Sequence, residues 1–138
     1  MSRRIEIFII SVAILASALL SIKIFEAAGS MGKFHQDAIF PQMVETACLS
    51  YLTEYDQLPP SSDNQKLTSA LLGDNPRKIV FISLSKRQLN ADHEMVDGWG
   101  TPIKITFYSL PGNVSPRVLV QSAGPDKIFG TADDITNQ

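Results

Sequence analysis

The chain has 138 residues, enough for one domain plus an anchor and too few for two independent cores. Its 12 basic and 14 acidic residues leave a net charge of −2 with no basic run, which argues against nucleic acid as a partner, because phosphate binding needs clustered Lys and Arg. Cys48 is the single cysteine and the two histidines, His35 and His93, stand far apart, so an intramolecular disulfide and a zinc site of the Cys/His type are both excluded.

The first element is nearly all apolar, from Ile5 to Phe25, with Arg3 and Arg4 before it and Lys23 near its end. As a helix it spans roughly 30 Å, about the hydrocarbon thickness of a bilayer. The flanking arginines predict a cytoplasmic N-terminus and an exported C-terminal domain. The expected division is residues 1–28 as a transmembrane helix and residues 29–138 as a globular domain. The alternative is a cleaved secretory signal. No clean small-x-small cleavage site supports that reading, although Ala27-Ala28-Gly29-Ser30 comes nearest to one. Glu6 stands out, because a carboxylate at the mouth of a membrane segment is costly. It reads either as an interfacial residue that reaches headgroups or pairs with Arg3, or as a functional group.

After Gly29-Ser30-Met31-Gly32, a spot that weakens a long helix, Phe34, Ala38, Val44, Ala47, Cys48, Tyr51, Leu52 and Tyr55 recur at steps of three and four. That spacing predicts an amphipathic helix with one buried stripe, on which Cys48 is a small core residue. Pro41 either kinks this helix or opens a fresh first turn, and Leu58-Pro59-Pro60 ends it. Ser61 to Asn64 supply a turn and an N-cap for a short helix around Gln65 to Leu72, closed by Gly73 and Pro76. Lys78 to Ser83 is either a short buried strand or an irregular connection. Asp97-Gly98-Trp99-Gly100-Thr101-Pro102 is a turn cluster in which Asp97 bonds nearby amides and Trp99 is expected to pack in the core. Ile103, Ile105 and Phe107 alternate with polar residues as in a half-buried strand. Leu110 to Asn113 turn the chain, and Arg117 to Ser122 form the returning strand. The sum is an α+β fold, a long N-terminal helix on a small antiparallel sheet.

The last segment, Ser122 to Ile135, holds Asp126, Asp133 and Asp134 in a Gly-punctuated loop. The adjacent Asp133 and Asp134 repel each other unless a cation offsets them, and hard oxygen donors suit calcium. The spacing does not fit an EF-hand. From these residues alone, the loop is either a solvated acidic turn or a metal site.

Two sets of motifs resemble a known family. Glu6-Ile7-Phe8-Ile9-Ile10-Ser11-Val12-Ala13-Ile14-Leu15-Ala16-Ser17 resembles the start of mature type IV pilins and type II secretion pseudopilins, with one glutamate at the fifth mature position before an apolar helix. On that resemblance the mature chain begins at Ser2. The family's basic leader ending in Gly, followed by Phe-Thr-Leu, has Met1-Ser2-Arg3-Arg4-Ile5 in its place, so the leader is either missing from this sequence or the chain is unprocessed. Further on, Leu49-Ser50-Tyr51-Leu52 through Leu58-Pro59, then Asp97 to Pro102, then Ser122 to Asp126 and Gly130 to Ile135 resemble, in order, the major pseudopilin of type II secretion. Residues 72 to 94 fit least well.

The resemblance implies a C-terminal calcium (Ca2+) loop with side-chain ligands from Asp126, Asp133 and Asp134. It also implies a carbonyl ligand from Ala123 and another from Ile128 or Phe129. Glu6 would offset the N-terminus of a neighbouring subunit during assembly. It further implies self-association into a periplasmic pseudopilus, held at the inner membrane with other pseudopilins and inner-membrane secretion components, that helps folded proteins cross the outer membrane. A non-polymerising, membrane-tethered domain of the same fold and a minor type IV pilin are the alternatives. An enzyme is not expected. The sequence has no Gly-x-Ser-x-Gly, no His-Glu-x-x-His and no phosphate loop, and Ser122 is followed by Ala-Gly-Pro, which suits a turn.

Overall fold

The computed structural model describes residues 38–60, 63–112 and 115–138, all within the compact unit His35–Gln138. The apolar segment expected to form an anchor, and Glu6 with it, lie outside the described residues. Among the described residues no helix is long and apolar enough to cross a membrane.

Helix α1 covers residues 38–55. Its buried stripe runs through Phe40, Val44, Ala47, Cys48 and Tyr51, steps of four, three, one and three that keep one face turned inward. Ala38, expected on this stripe, is exposed instead, and Phe40 and Pro41 are buried. Helical rotation explains the change: at about 100° per residue, Ala38 and Phe40 point to opposite sides. On the outer face the hydroxyls of Thr46, Ser50 and Thr53 donate to the carbonyls four residues back, at 2.8, 2.8 and 2.9 Å. The helix stops after Tyr55 because Asp56 adopts a left-handed φ of 53°, leaving the two prolines to carry the chain away.

Helix α2 is Asn64–Leu71, with Asp63 as N-cap accepting from the Gln65 amide. Its residues Leu67, Ala70 and Leu71 pack into the same core as α1, together with Ile82, Met95, Ile103, Val118 and Val120. Residues 78–83 form no strand. Their backbone is held by other groups: Phe81 N–H donates to the Leu71 carbonyl at 2.8 Å, and the Asn75 side chain bonds to Ile79 N–H and C=O at 3.0 and 2.6 Å. A single 3-10 turn, Lys86–Gln88, follows.

Strands β1 (Lys104–Tyr108), β2 (Arg117–Ser122) and β3 (Ile135–Thr136) make an antiparallel sheet in that spatial order. The first two stand where alternation predicts them. The third was not predicted, since two residues carry no period. It pairs Gln121 with Thr136 and Ser122 with Ile135, and the Asn137 side chain extends the ladder. Its Nδ2 donates to the Val118 carbonyl at 2.8 Å and its Oδ1 accepts from Val120 N–H at 2.9 Å. β2 therefore lies between its two partners, with Val118, Val120 and Ser122 all buried on its inner face.

Burial pushes the Cys48 thiol up to about 12 from its ordinary 9.0, with the nearby Glu45 carboxylate adding to the effect. The folded state therefore keeps the thiol neutral while the unfolded chain ionises it. This contribution is fully present below pH 9 and is lost as pH rises from 9 toward about 12. Between those limits, denaturant titrations of the wild type should lose stability more steeply with pH than those of Cys48→Ala. At pH 8 a thiol reagent should label Cys48 only after unfolding.

Candidate functional site: the turn and the C-terminal loop

The turn at residues 97–101 forms around one buried side chain. Asp97 is 2% exposed, and its Oδ1 accepts from the amides of Trp99 at 3.0 Å and Thr101 at 2.8 Å. The backbone closes the same turn, with Asp97 N–H donating to the Thr101 carbonyl and Gly100 N–H to the Asp97 carbonyl. Asp97 thus bonds the amides as its position predicts. Trp99 departs from expectation: it is half-buried and lies outside the core cluster. It sits in a tight turn between two exposed glycines.

The second oxygen of Asp97 reaches across to the sheet. Ser122 Oγ, 1% exposed, donates to Asp97 Oδ2 at 2.8 Å and accepts from Gly124 N–H at 3.1 Å. Sequence reasoning placed Ser122 at the end of the returning strand, before a turn, and gave its hydroxyl no partner. The available signal was its parity with Val118 and Val120, which places a hydroxyl on the buried face, where it needs a partner.

Gly124 begins the loop with a left-handed φ of 66°, and a Cβ there would lie 2.3 Å from the Asp133 carbonyl oxygen and 2.9 Å from Asp133 Oδ2. Only glycine lets the two ends of the loop meet this closely. The acidic residues then bond the loop's own amides. Asp126 Oδ1 accepts from Ile128 N–H at 2.8 Å, Asp133 Oδ2 from Asp126 N–H at 3.1 Å, and Asp134 Oδ2 from Gly130 N–H at 2.8 Å. Thr131, which sequence reasoning did not single out, places its hydroxyl 2.6 Å from Asp133 Oδ1 and 3.1 Å from the Ile128 carbonyl. The Thr131 hydroxyl, aided by the Asp126 amide, holds the Asp133 carboxyl below the usual carboxylate range.

The loop brings Asp133 against Asp126, while Asp134 turns to Gly130. Among the described residues no group of three or more His, Cys, Asp or Glu side chains is gathered as a metal cluster. Asp134 Oδ1 is buried without a hydrogen-bond partner. Ala123 is fully buried, and Ile128 and Phe129 are 61% and 40% exposed.

No family model matches the chain, and no curated protein matches it. Among solved structures, it is similar to the major pseudopilin from the type 2 secretion system of enterohaemorrhagic Escherichia coli. The match has 20% sequence identity, covers 80% of this chain and 87% of that one, and has a TM-score of 0.47.

Gly124→Ala should destabilise the domain by about 2 kcal/mol or more, from left-handed strain plus the collision with Asp133. Gly100 has a φ of 82° and nothing within 4 Å of its added Cβ, so Gly100→Ala should cost only the conformational part, about 1–2 kcal/mol. Urea midpoints at an unchanged m-value measure both.

Proposed function

We propose that the chain is a structural subunit of the pseudopilus of a type II secretion system, supporting export of folded proteins, and that calcium stabilises its C-terminal loop. One observation carries the reading: the two motifs on which the sequence resemblance rests, the Asp-Gly-Trp-Gly turn and the acidic loop, are joined through Asp97 and Ser122 into one unit. The apolar N-terminal segment and Glu6 supply the assembly part of the proposal. The domain would stand in the periplasm, tethered to the inner membrane, with other pseudopilins and inner-membrane secretion components as partners. A scaffolding rather than catalytic role suits the described residues. The Ser122 hydroxyl is buried and committed to Asp97, where no substrate reaches it.

The loop's donors suit calcium chemically. They are carboxylate and carbonyl oxygens, and the unpartnered Asp134 Oδ1 is a buried acceptor in need of a positive partner. Asp126, Asp133 and Asp134 would hold the ion with the carbonyls of Ala123 and of Ile128 or Phe129. Bound calcium would offset the loop's negative charge and add its binding energy to folding. Asp126 and Asp133 would exchange amide bonds within the loop for the ion.

Chelator should lower the melting temperature of the protein, and Asp133→Ala should abolish that response. A wild-type protein indifferent to chelator would remove calcium from the proposal. Assembly is tested separately by Glu6→Ala. Cross-linking in cells should trap oligomers of the wild type and lose them in the variant. Oligomers that persist unchanged would show that Glu6 has no part in assembly, and a wild type that yields none would favour the non-polymerising tethered domain.

A further inference from the structure

The turn and the loop are connected through the interior of the domain. Asp97 contributes no ligand, yet its Oδ2 fixes the Ser122 hydroxyl at 2.8 Å, and that hydroxyl fixes Gly124 N–H at 3.1 Å. Gly124 in turn lies against the backbone and side chain of Asp133. Ala123, the expected carbonyl ligand, sits between the two hydrogen-bonded residues and is fully buried. The other oxygen of Asp97 holds the Trp99 and Thr101 amides. A short buried path therefore runs from the turn amides through Asp97 and Ser122 to the backbone that brackets the acidic residues.

We infer that Asp97 and Ser122 are positioning residues for the calcium loop, and that calcium binding and the order of the 97–101 turn are coupled through them. The inference rests on the calcium reading proposed above. Its physical basis is pre-organisation: with residues 122–124 already held, calcium binding need not fix that stretch of backbone. Groups that orient ligands without touching the ion set metal affinity in this way. Coupling is reciprocal, so whatever orders the turn tightens calcium and calcium tightens the turn. Ser122 also pairs with Ile135 of β3, directly after Asp134. Its hydroxyl and its backbone thus meet opposite ends of the same loop.

The test uses the full-length chain and calcium chloride as the probe. Hydrogen exchange of the Trp99 and Thr101 amides is followed with and without calcium, which needs no variant. Calcium affinity is then measured by isothermal titration for the wild type, Ser122→Ala and Asp97→Asn. Calcium should slow exchange at Trp99 and Thr101 in the wild type and not in Ser122→Ala. Each variant should bind calcium about tenfold more weakly, at a temperature where circular dichroism shows it folded. Ser122→Thr, which restores the hydroxyl, should recover most of the affinity. A purely structural role would lower the melting temperature of the metal-free variants and leave calcium affinity and turn exchange uncoupled. Wild-type calcium binding with unaltered exchange at Trp99 and Thr101, or with affinity unchanged in both variants, would overturn this inference alone. A wild-type chain that binds no calcium would overturn it together with the calcium reading.

Discussion

A carboxylate that is 2% exposed must be answered by donors, and Asp97 is answered by three: two amides of its own turn and the hydroxyl of a strand 25 residues away. Hydrogen bonds to a charged group contribute about 1.5–3 kcal/mol each, and leaving such a group buried and unpaired costs more than the bond itself is worth. The turn cannot leave the sheet without exposing or orphaning that charge. Because the strand residue is Ser122, the same constraint passes to Gly124 and into the loop. The C-terminal third of the domain is thus organised around one side chain.

The rest of the domain meets the same problem with amides. Between α2 and β1 the described chain has almost no regular structure, and side chains bond several of its backbone groups. Asn64 Nδ2 reaches the carbonyls of Met95 and Ile103, Thr68 Oγ1 accepts from Met95 N–H, and Asn90 Oδ1 takes the amides of Asp92 and Glu94. These side chains stand in for strand partners, so that Met95 and Ile103 can enter the core without a sheet around them. Aromatic packing closes the other side. Tyr51, Tyr55 and Phe81 meet in tilted and edge-on contacts with centroids 4.6 to 6.1 Å apart, and Arg77 lies over Tyr55 while pairing with Glu54.

The acidic loop is a set of turns whose carboxylates cap their own amides. Local pairing of this kind sets the backbone path of the loop. It also decides which charges sit together, with Asp133 beside Asp126 and Asp134 bonded to Gly130. Charge distribution and backbone order therefore depend on the same few hydrogen bonds.

The residues alone determined the elements with a local signal: the stripe around Val44, Ala47, Cys48 and Tyr51, an N-cap somewhere in Ser61 to Asn64, which the structure places at Asp63, and strands β1 and β2. Each rests on local rules, helical or alternating spacing and a capping side chain, which the residues state directly. The tertiary structure decided what depends on distance. It moved the α1 stripe onto Phe40 and Pro41 and away from Ala38, because the face that packs is chosen by α2 and the sheet. It made β3 a strand, because two residues acquire pairing only when β2 is already in place. It left Trp99 at the rim and put Ser122 in the interior. At the candidate site, the acidic residues were legible because their type and their loop are local. That Asp97 is linked to the loop through Ser122 was not, since it depends on a hydrogen bond between residues 25 positions apart, and only the packed sheet brings those two side chains together.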